Sequence, residues 1–213
     1  MKPELIIFDC DGVLVDSEPI ANHILTEALN EIGLSISYGE TVRQFMGLTT
    51  EACLALVEER LGREVPARFY EDYLSRLFEA FRRELGPVPG IDSALDRIEV
   101  PICVASNGDH EKMRLTLGLT GLLPRFDGRM FSVTEVERGK PHPDLFLHAA
   151  RRMGCAPRSC AAVEDSVFGV RAARAAGMAA FGYVGEIEPT ALAAAGAKVF
   201  RNMEELHELL GAV

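Results

Sequence analysis

The sequence predicts an α/β fold, a parallel-sheet core interrupted by an inserted helical cap. Three observations point there. Short apolar runs stop at polar residues, as strands buried on both faces do. Helical segments alternate with the later runs, the pattern of βαβ units. A long strand-free stretch of amphipathic helices follows the first run and closes on a Pro/Gly-rich connector.

Leu5–Phe8 is apolar, partly β-branched and ends at Asp9, and is read as the first strand. Three amphipathic segments follow, at Ile20–Ile32, Thr50–Leu61 and Ala67–Leu85, separated by Gly33, Gly47 and Gly62. In the first of them Ile24, Leu25, Ala28, Leu29 and Ile32 fall at helical spacing. The stretch ends at Gly-Pro-Val-Pro-Gly, residues 86–90. The boundaries drawn are therefore residues 1–16 and 87–213 for the core, and 17–86 for the cap. Within the core, strands are read at Ile102–Ala105, Cys160–Val163 and Met178–Phe181. The last two are poor in branched residues and rest on their position between helices. Those helices are read at Asp109–Leu117, Pro143–Met153 and Val167–Ala176, giving a Rossmann-like sheet with right-handed crossovers.

The 213 residues allow one fair-sized domain with an insertion. Hydrophobic residues make up 48% and charged residues 25%, an ordinary globular balance. A formal net charge of -10 argues against nonspecific nucleic-acid binding, which rewards dense Lys and Arg. It leaves open a local anion site of backbone N–H groups, a lysine and a metal ion. Five scattered cysteines without a CxxC pair read as reduced, buried thiols. No window approaches the ~20 apolar residues that cross a membrane, and the N-terminal apolar run is too short and acidic for a signal peptide. The expectation is a cytoplasmic monomer or weak homodimer.

In an open parallel sheet, ligands bind beyond the carboxyl ends of the strands. The first strand ends in Asp9-Cys10-Asp11-Gly12, two carboxylates that are costly beside a buried strand unless a cation neutralises them. Alone, the pair also reads as a turn. The next ends in Ser106-Asn107-Gly108 before a helix, where a hydroxyl and N–H groups suit a phosphate oxygen, or simply cap the helix. Lys140, in Gly-Lys-Pro-His-Pro-Asp (139–144), is one of only four lysines and sits between restricted prolines. Glu164-Asp165 supplies a second acidic pair, suited to a hard cation.

Together, FDCDGVLVDSE (8–18), VASNG (104–108), GKPHPDLF (139–146) and VEDSVFGVRAARAAGM (163–178) resemble the haloacid dehalogenase-like (HAD) hydrolase superfamily, in its beta-phosphoglucomutase-like branch. The resemblance implies that Asp9 attacks phosphorus and that Asp11 serves as general acid and then base. It implies that Ser106 and Asn107 bind phosphoryl oxygens and that Lys140 neutralises charge. Mg2+ would be held by Asp9, the backbone carbonyl of Asp11 and Asp165, with Glu164 nearby. The substrate would be a small phosphorylated metabolite: a sugar, polyol or sugar-acid phosphate, with 6-phosphogluconate-type phosphatases the most similar group.

Asp11 argues against dehalogenation, since dehalogenases lack this second aspartate. No lysine lies between Ser17 and Leu85, which removes the cap Schiff base of phosphonoacetaldehyde hydrolases. The mutases' cap histidine and arginine line up with Ala21 and Thr50, so hydrolysis is preferred to mutase chemistry. Arg43, in the cap loop 43–47, is a candidate for the substrate's hydroxyl or carboxylate, or an ordinary surface residue. A phospho-accepting signalling module, or an idle binding protein on this fold, is the reading from another class. Turnover separates it from an enzyme.

Overall fold

The computed structural model describes residues 2–211. Its core is a six-stranded sheet in the order β3-β2-β1-β4-β5-β6, with every neighbouring pair parallel. The strands are β1 (Leu5–Phe8), β2 (Ile102–Ser106), β3 (Met130–Ser132), β4 (Cys160–Glu164), β5 (Ala179–Tyr183) and β6 (Lys198–Phe200). All four residues of β1 are buried, and they alternate between two layers. Ile6 and Phe8 join a cluster with Val104, Val163 and Met113, whereas Leu5 and Ile7 join one with Cys103, Ala162 and Phe146. A strand covered on both faces must be apolar at every position, which is why LIIF shows no period-2 alternation. Burial of each such side chain contributes about 1.5–3 kcal/mol.

Between β1 and β2 run the helices α1 (Glu18–Glu31), α2 (Tyr38–Phe45), α3 (Thr50–Leu61) and α4 (Phe69–Glu84). They enclose a cluster of their own that includes Leu25, Leu29, Phe45, Val57 and Phe69. The two chain crossings lie side by side: Asp16 N–H donates to Gly86 O at 3.0 Å and Val88 N–H to Leu14 O at 3.0 Å. Beyond these crossings, the Tyr38 hydroxyl donates to Glu186 at 2.6 Å, tying α2 to the segment after β5.

The remaining helices flank the sheet. One layer holds α5 (Ile91–Asp96), α6 (His110–Leu119), α7 (Leu123–Phe126) and α11 (Leu206–Gly211). The other holds α8 (Asp144–Arg152), α9 (Val167–Ala175) and α10 (Pro189–Ala194).

Several elements depart from the expectations. β3 and β6 have three residues each, too short to carry a pattern, and β6 begins with an exposed lysine. α2 takes up residues 43–45 of the loop expected at 43–47 and leaves Met46 and Gly47 as the turn after it. Its start is a capping box: Ser37 accepts the Glu40 N–H while Glu40 accepts from Ser37 N–H. The cysteines are free, but only Cys10, Cys103 and Cys160 are fully buried. No helix among the described residues is long and apolar enough to cross a membrane.

Candidate active site

The four strand-end motifs meet at one place. Asp9 follows β1, where its N–H still donates to Val163 O at 2.9 Å, so its side chain leaves the sheet beside the end of β4. Lys140 lies on the loop before α8, with its side chain 3% exposed. Its ammonium donates to Asp9 Oδ1 at 2.8 Å, Ala105 O at 2.8 Å and Glu164 Oε1 at 2.5 Å. All three ammonium hydrogens are thereby used.

Asn107 holds this lysine in place. Its side-chain oxygen accepts the Lys140 N–H at 2.9 Å and its amide donates to Lys140 O at 3.2 Å. The side chain expected to assist a phosphate is thus largely committed to the lysine loop. Ser106, buried at the end of β2, accepts the Gly108 N–H at 3.0 Å and lines the cavity beside Asp9.

Asp9, Glu164 and Asp165 each offer an oxygen within 4.8 Å of the others. Asp165 Oδ2 is buried and has no hydrogen-bond partner, an orphan acceptor that a hard cation would satisfy. Gly12 lies against it with φ +69°, and a Cβ there would overlap the Asp165 carboxylate. Glu164 is fixed by Lys140 and by Ser166 Oγ at 3.1 Å, while Ser166 also caps α9 by accepting the Gly169 N–H. A Cβ at Gly169 would overlap the Glu164 carboxylate.

Burial pushes the Asp9 carboxyl above its ordinary range, against the pull of Lys140. Burial likewise raises Glu164 to about 7 and Asp165 well above the usual carboxylate range, with Glu18, Asp9 and Glu164 adding to the rise at Asp165. Three carboxylates meet where one ammonium bonds only Asp9 and Glu164, so the charge is unbalanced in the direction that favours a bound cation.

The Asp11 carboxylate stands outside this cluster. Its Oδ1 accepts from Ser17 Oγ at 2.7 Å and its Oδ2 from Lys112 Nζ at 2.9 Å. Burial raises its pKa, but the Lys112 charge and the two hydrogen bonds prevail and hold it low. Ser17 and Lys112, the latter on α6, lie beyond the strand-end runs at 9–12 and 106–108 that single residues out in the sequence.

A cavity of about 460 Å³ joins these groups to the helices between β1 and β2. Arg43 does not reach it: the residue is exposed on the last turn of α2, with its guanidinium lying back over Gly39. The candidate role rested on a loop, and the helix points this side chain away. Glu18, absent from the sequence-based site, does line the cavity, and burial and Asp11 raise it to about 7.

A family model for haloacid dehalogenase-like hydrolases matches residues 3–177. The chain is 30% identical over 210 residues to 6-phosphogluconate phosphatase from Escherichia coli, covering 97% of this chain and 94% of that protein. A haloacid dehalogenase-like protein of unknown function from Agrobacterium tumefaciens superimposes with a TM-score of 0.87 at 36% identity, over 98% of both chains. A HAD family hydrolase from Deinococcus radiodurans, solved with bound phosphate and sodium, does so with a TM-score of 0.80 at 29% identity, over 99% of this chain and 96% of that one. With the family model running from the first strand through α9, the chain belongs to the haloacid dehalogenase-like hydrolases.

Proposed function

We propose that the chain is a magnesium-dependent phosphatase that hydrolyses small phosphate monoesters through an aspartyl-phosphate on Asp9. The observation that carries this reading is the Lys140 ammonium shared by Asp9 and Glu164 beside the unpartnered Asp165 Oδ2. Asp9, Asp165 and Glu164, with the backbone carbonyl of Asp11, would hold Mg2+. When bound, the cation would offset the charge of the phosphoryl oxygens and orient them for attack.

The chain's own residues supply the rest. Lys140 favours the ionised form of Asp9 against the effect of burial and orients its carboxylate through the 2.8 Å hydrogen bond. Ser106 and the N–H groups after β2 receive phosphoryl oxygens. The Asp9 oxygen forms a bond to phosphorus as the bond to the leaving alcohol oxygen breaks, and Asp11 in its protonated form gives a proton to that oxygen, which requires the Lys112 contact to open first. Asp11 then takes a proton from the water that attacks the phospho-aspartate, which releases phosphate and restores Asp9. Asp11 sits apart from the cation cluster, as a group that exchanges protons with the leaving oxygen needs to. Residues 17–86 would act as a lid that limits water at the reacting centre.

The names of relatives support the phosphatase reading: 6-phosphogluconate phosphatase, fructose-1-phosphate phosphatase and hexitol phosphatase, all from Escherichia coli. The test is phosphate release by wild type and Asp9→Asn, each with magnesium and with EDTA. Magnesium-dependent release abolished by the substitution is expected. Equal release by both proteins would remove Asp9 as nucleophile.

A further inference from the structure

The cavity's two ends differ in chemistry. Its floor holds Asp9, Asp11, Ser106, Lys140 and Asp165, while its roof comes from α1, the α2–α3 segment, α3 and α4. Along α4, Tyr70, Tyr73, Leu74, Leu77 and Phe78 line it, at helical spacings that place them on one face. Such a stripe ordinarily packs into a core. Here Tyr70, Leu74 and Phe78 lie outside the cap's own apolar cluster, are only half-buried, and turn towards the open volume instead.

The distribution of charge is equally one-sided. Among the described residues lining the cavity, the cations are Lys112 and Lys140. Both are taken: Lys112 by Asp11 at 2.9 Å, Lys140 by Asp9 and Glu164. The helical roof adds Glu18 and Glu51 and no Lys, Arg or His. A carboxylate or second phosphate on the far end of a substrate would be drawn from water without a counter-charge, close to acidic groups. A polyol would meet Asn22, Thr49, Thr50 and the tyrosine hydroxyls, of which Asn22 already donates to Glu18 at 3.3 Å and Thr50 lies 3.2 Å from Tyr70, and would set its remaining hydroxyls against Leu and Phe side chains.

We infer that the alcohol released by this enzyme is uncharged and carries an aromatic or heteroaromatic ring, which packs against the Tyr70–Phe78 face of α4. The inference rests on the phosphatase reading and narrows it. Offset or edge-on ring contacts with Tyr70, Tyr73 and Phe78 provide the favourable term. At about 460 Å³ the cavity is far larger than a phosphate and within the usual range of small-molecule sites. This separates the chain from its 6-phosphogluconate phosphatase relative, whose named substrate bears a carboxylate.

The test uses primary-alcohol esters, so that leaving-group chemistry is matched: uridine 5′-monophosphate, ribose 5-phosphate, sorbitol 6-phosphate, 6-phosphogluconate and fructose 1,6-bisphosphate. With magnesium, kcat/KM for the uridine ester is expected to exceed each of the others by about tenfold or more. Tyr70→Ala, at a half-exposed position, should remove most of that margin through KM. Thr50→Arg, which places a cation on the cavity wall, should raise kcat/KM for 6-phosphogluconate. If 6-phosphogluconate or the bisphosphate is the best substrate of wild type, the inference is overturned and the phosphatase reading stands. A sorbitol 6-phosphate rate equal to the uridine ester's also overturns it. If no ester releases phosphate above the Asp9→Asn background, both fall together.

Discussion

The Lys140 ammonium lies 2.8 Å from Asp9 Oδ1, although 131 residues separate the two in sequence. Its other contacts, to Glu164 and Ala105 O, make it a bridge between the ends of β1, β2 and β4. One buried cation thus balances part of the charge that three strands bring together.

Lys140→Met should therefore act on both activity and stability. Loss of charge at the reacting centre is expected to lower kcat/KM by about 10²–10³. Leaving Asp9 and Glu164 buried without the ammonium should destabilise the metal-free protein by roughly 3–5 kcal/mol. Steady-state kinetics and urea unfolding read the two effects separately. Lys140→Arg should rescue neither, since a planar guanidinium does not fit a point-charge site with three converging acceptors.

The role proposed for Asp11 separates proton transfer from nucleophilic attack. Asp11→Asn is expected to slow hydrolysis of alkyl phosphates by about 10²–10⁴. With p-nitrophenyl phosphate the loss in the first step should be much smaller, because that leaving group departs without a proton. A burst of p-nitrophenol followed by slow turnover would report a phospho-enzyme that lacks its base. Equal losses on both ester types, with no burst, would argue against this role.

Stability should depend on pH and magnesium together. Glu164, raised from 4.5 to about 7, and Asp165, also raised by burial, bind protons in the folded protein that the unfolded chain has lost. The metal-free protein then loses stability as pH rises from about 4.5 through about 7, because the folded state holds more protons over that window. Magnesium competes with those protons, so its stabilising effect should grow as pH rises. Thermal unfolding should show a magnesium-induced rise in Tm larger by roughly 3–6 °C at pH 8 than at pH 5.5. A rise that does not change with pH would mean that these carboxylates do not hold the cation.

Gly169→Ala tests the support behind Glu164. The added methyl would overlap the Glu164 carboxylate, so the side chain or α9 must move. Overpacking of this kind is expected to cost about 1–3 kcal/mol. Magnesium affinity, measured by calorimetric titration, should fall together with stability. At Gly118, an exposed position on α6, a Cβ meets nothing within 4 Å, and the same substitution should leave affinity unchanged.

The sequence by itself determined the parallel core, the strand-free segment after β1 and the strand-end position of Asp9, Ser106 and Glu164. These were legible because apolar runs, helical periodicity and polar breaks are local properties of the chain. α2 is legible too, in the Ser37–Glu40 capping box, and the helix leaves Arg43 as the exposed surface residue that the sequence allowed as one alternative.

How the side chains divide the work depends on the folded arrangement. Nothing in the sequence says that Asn107 holds Lys140, that Lys112 and Ser17 claim Asp11, or that Asp165 Oδ2 is left without a partner. Likewise, the α4 stripe has one sequence pattern whether it packs into a core or faces a cavity. The reason is physical: a hydrogen bond or a pKa depends on distances of a few ångströms between groups far apart in the chain. Periodicity shows which face of an element is apolar. Packing alone sets what that face meets.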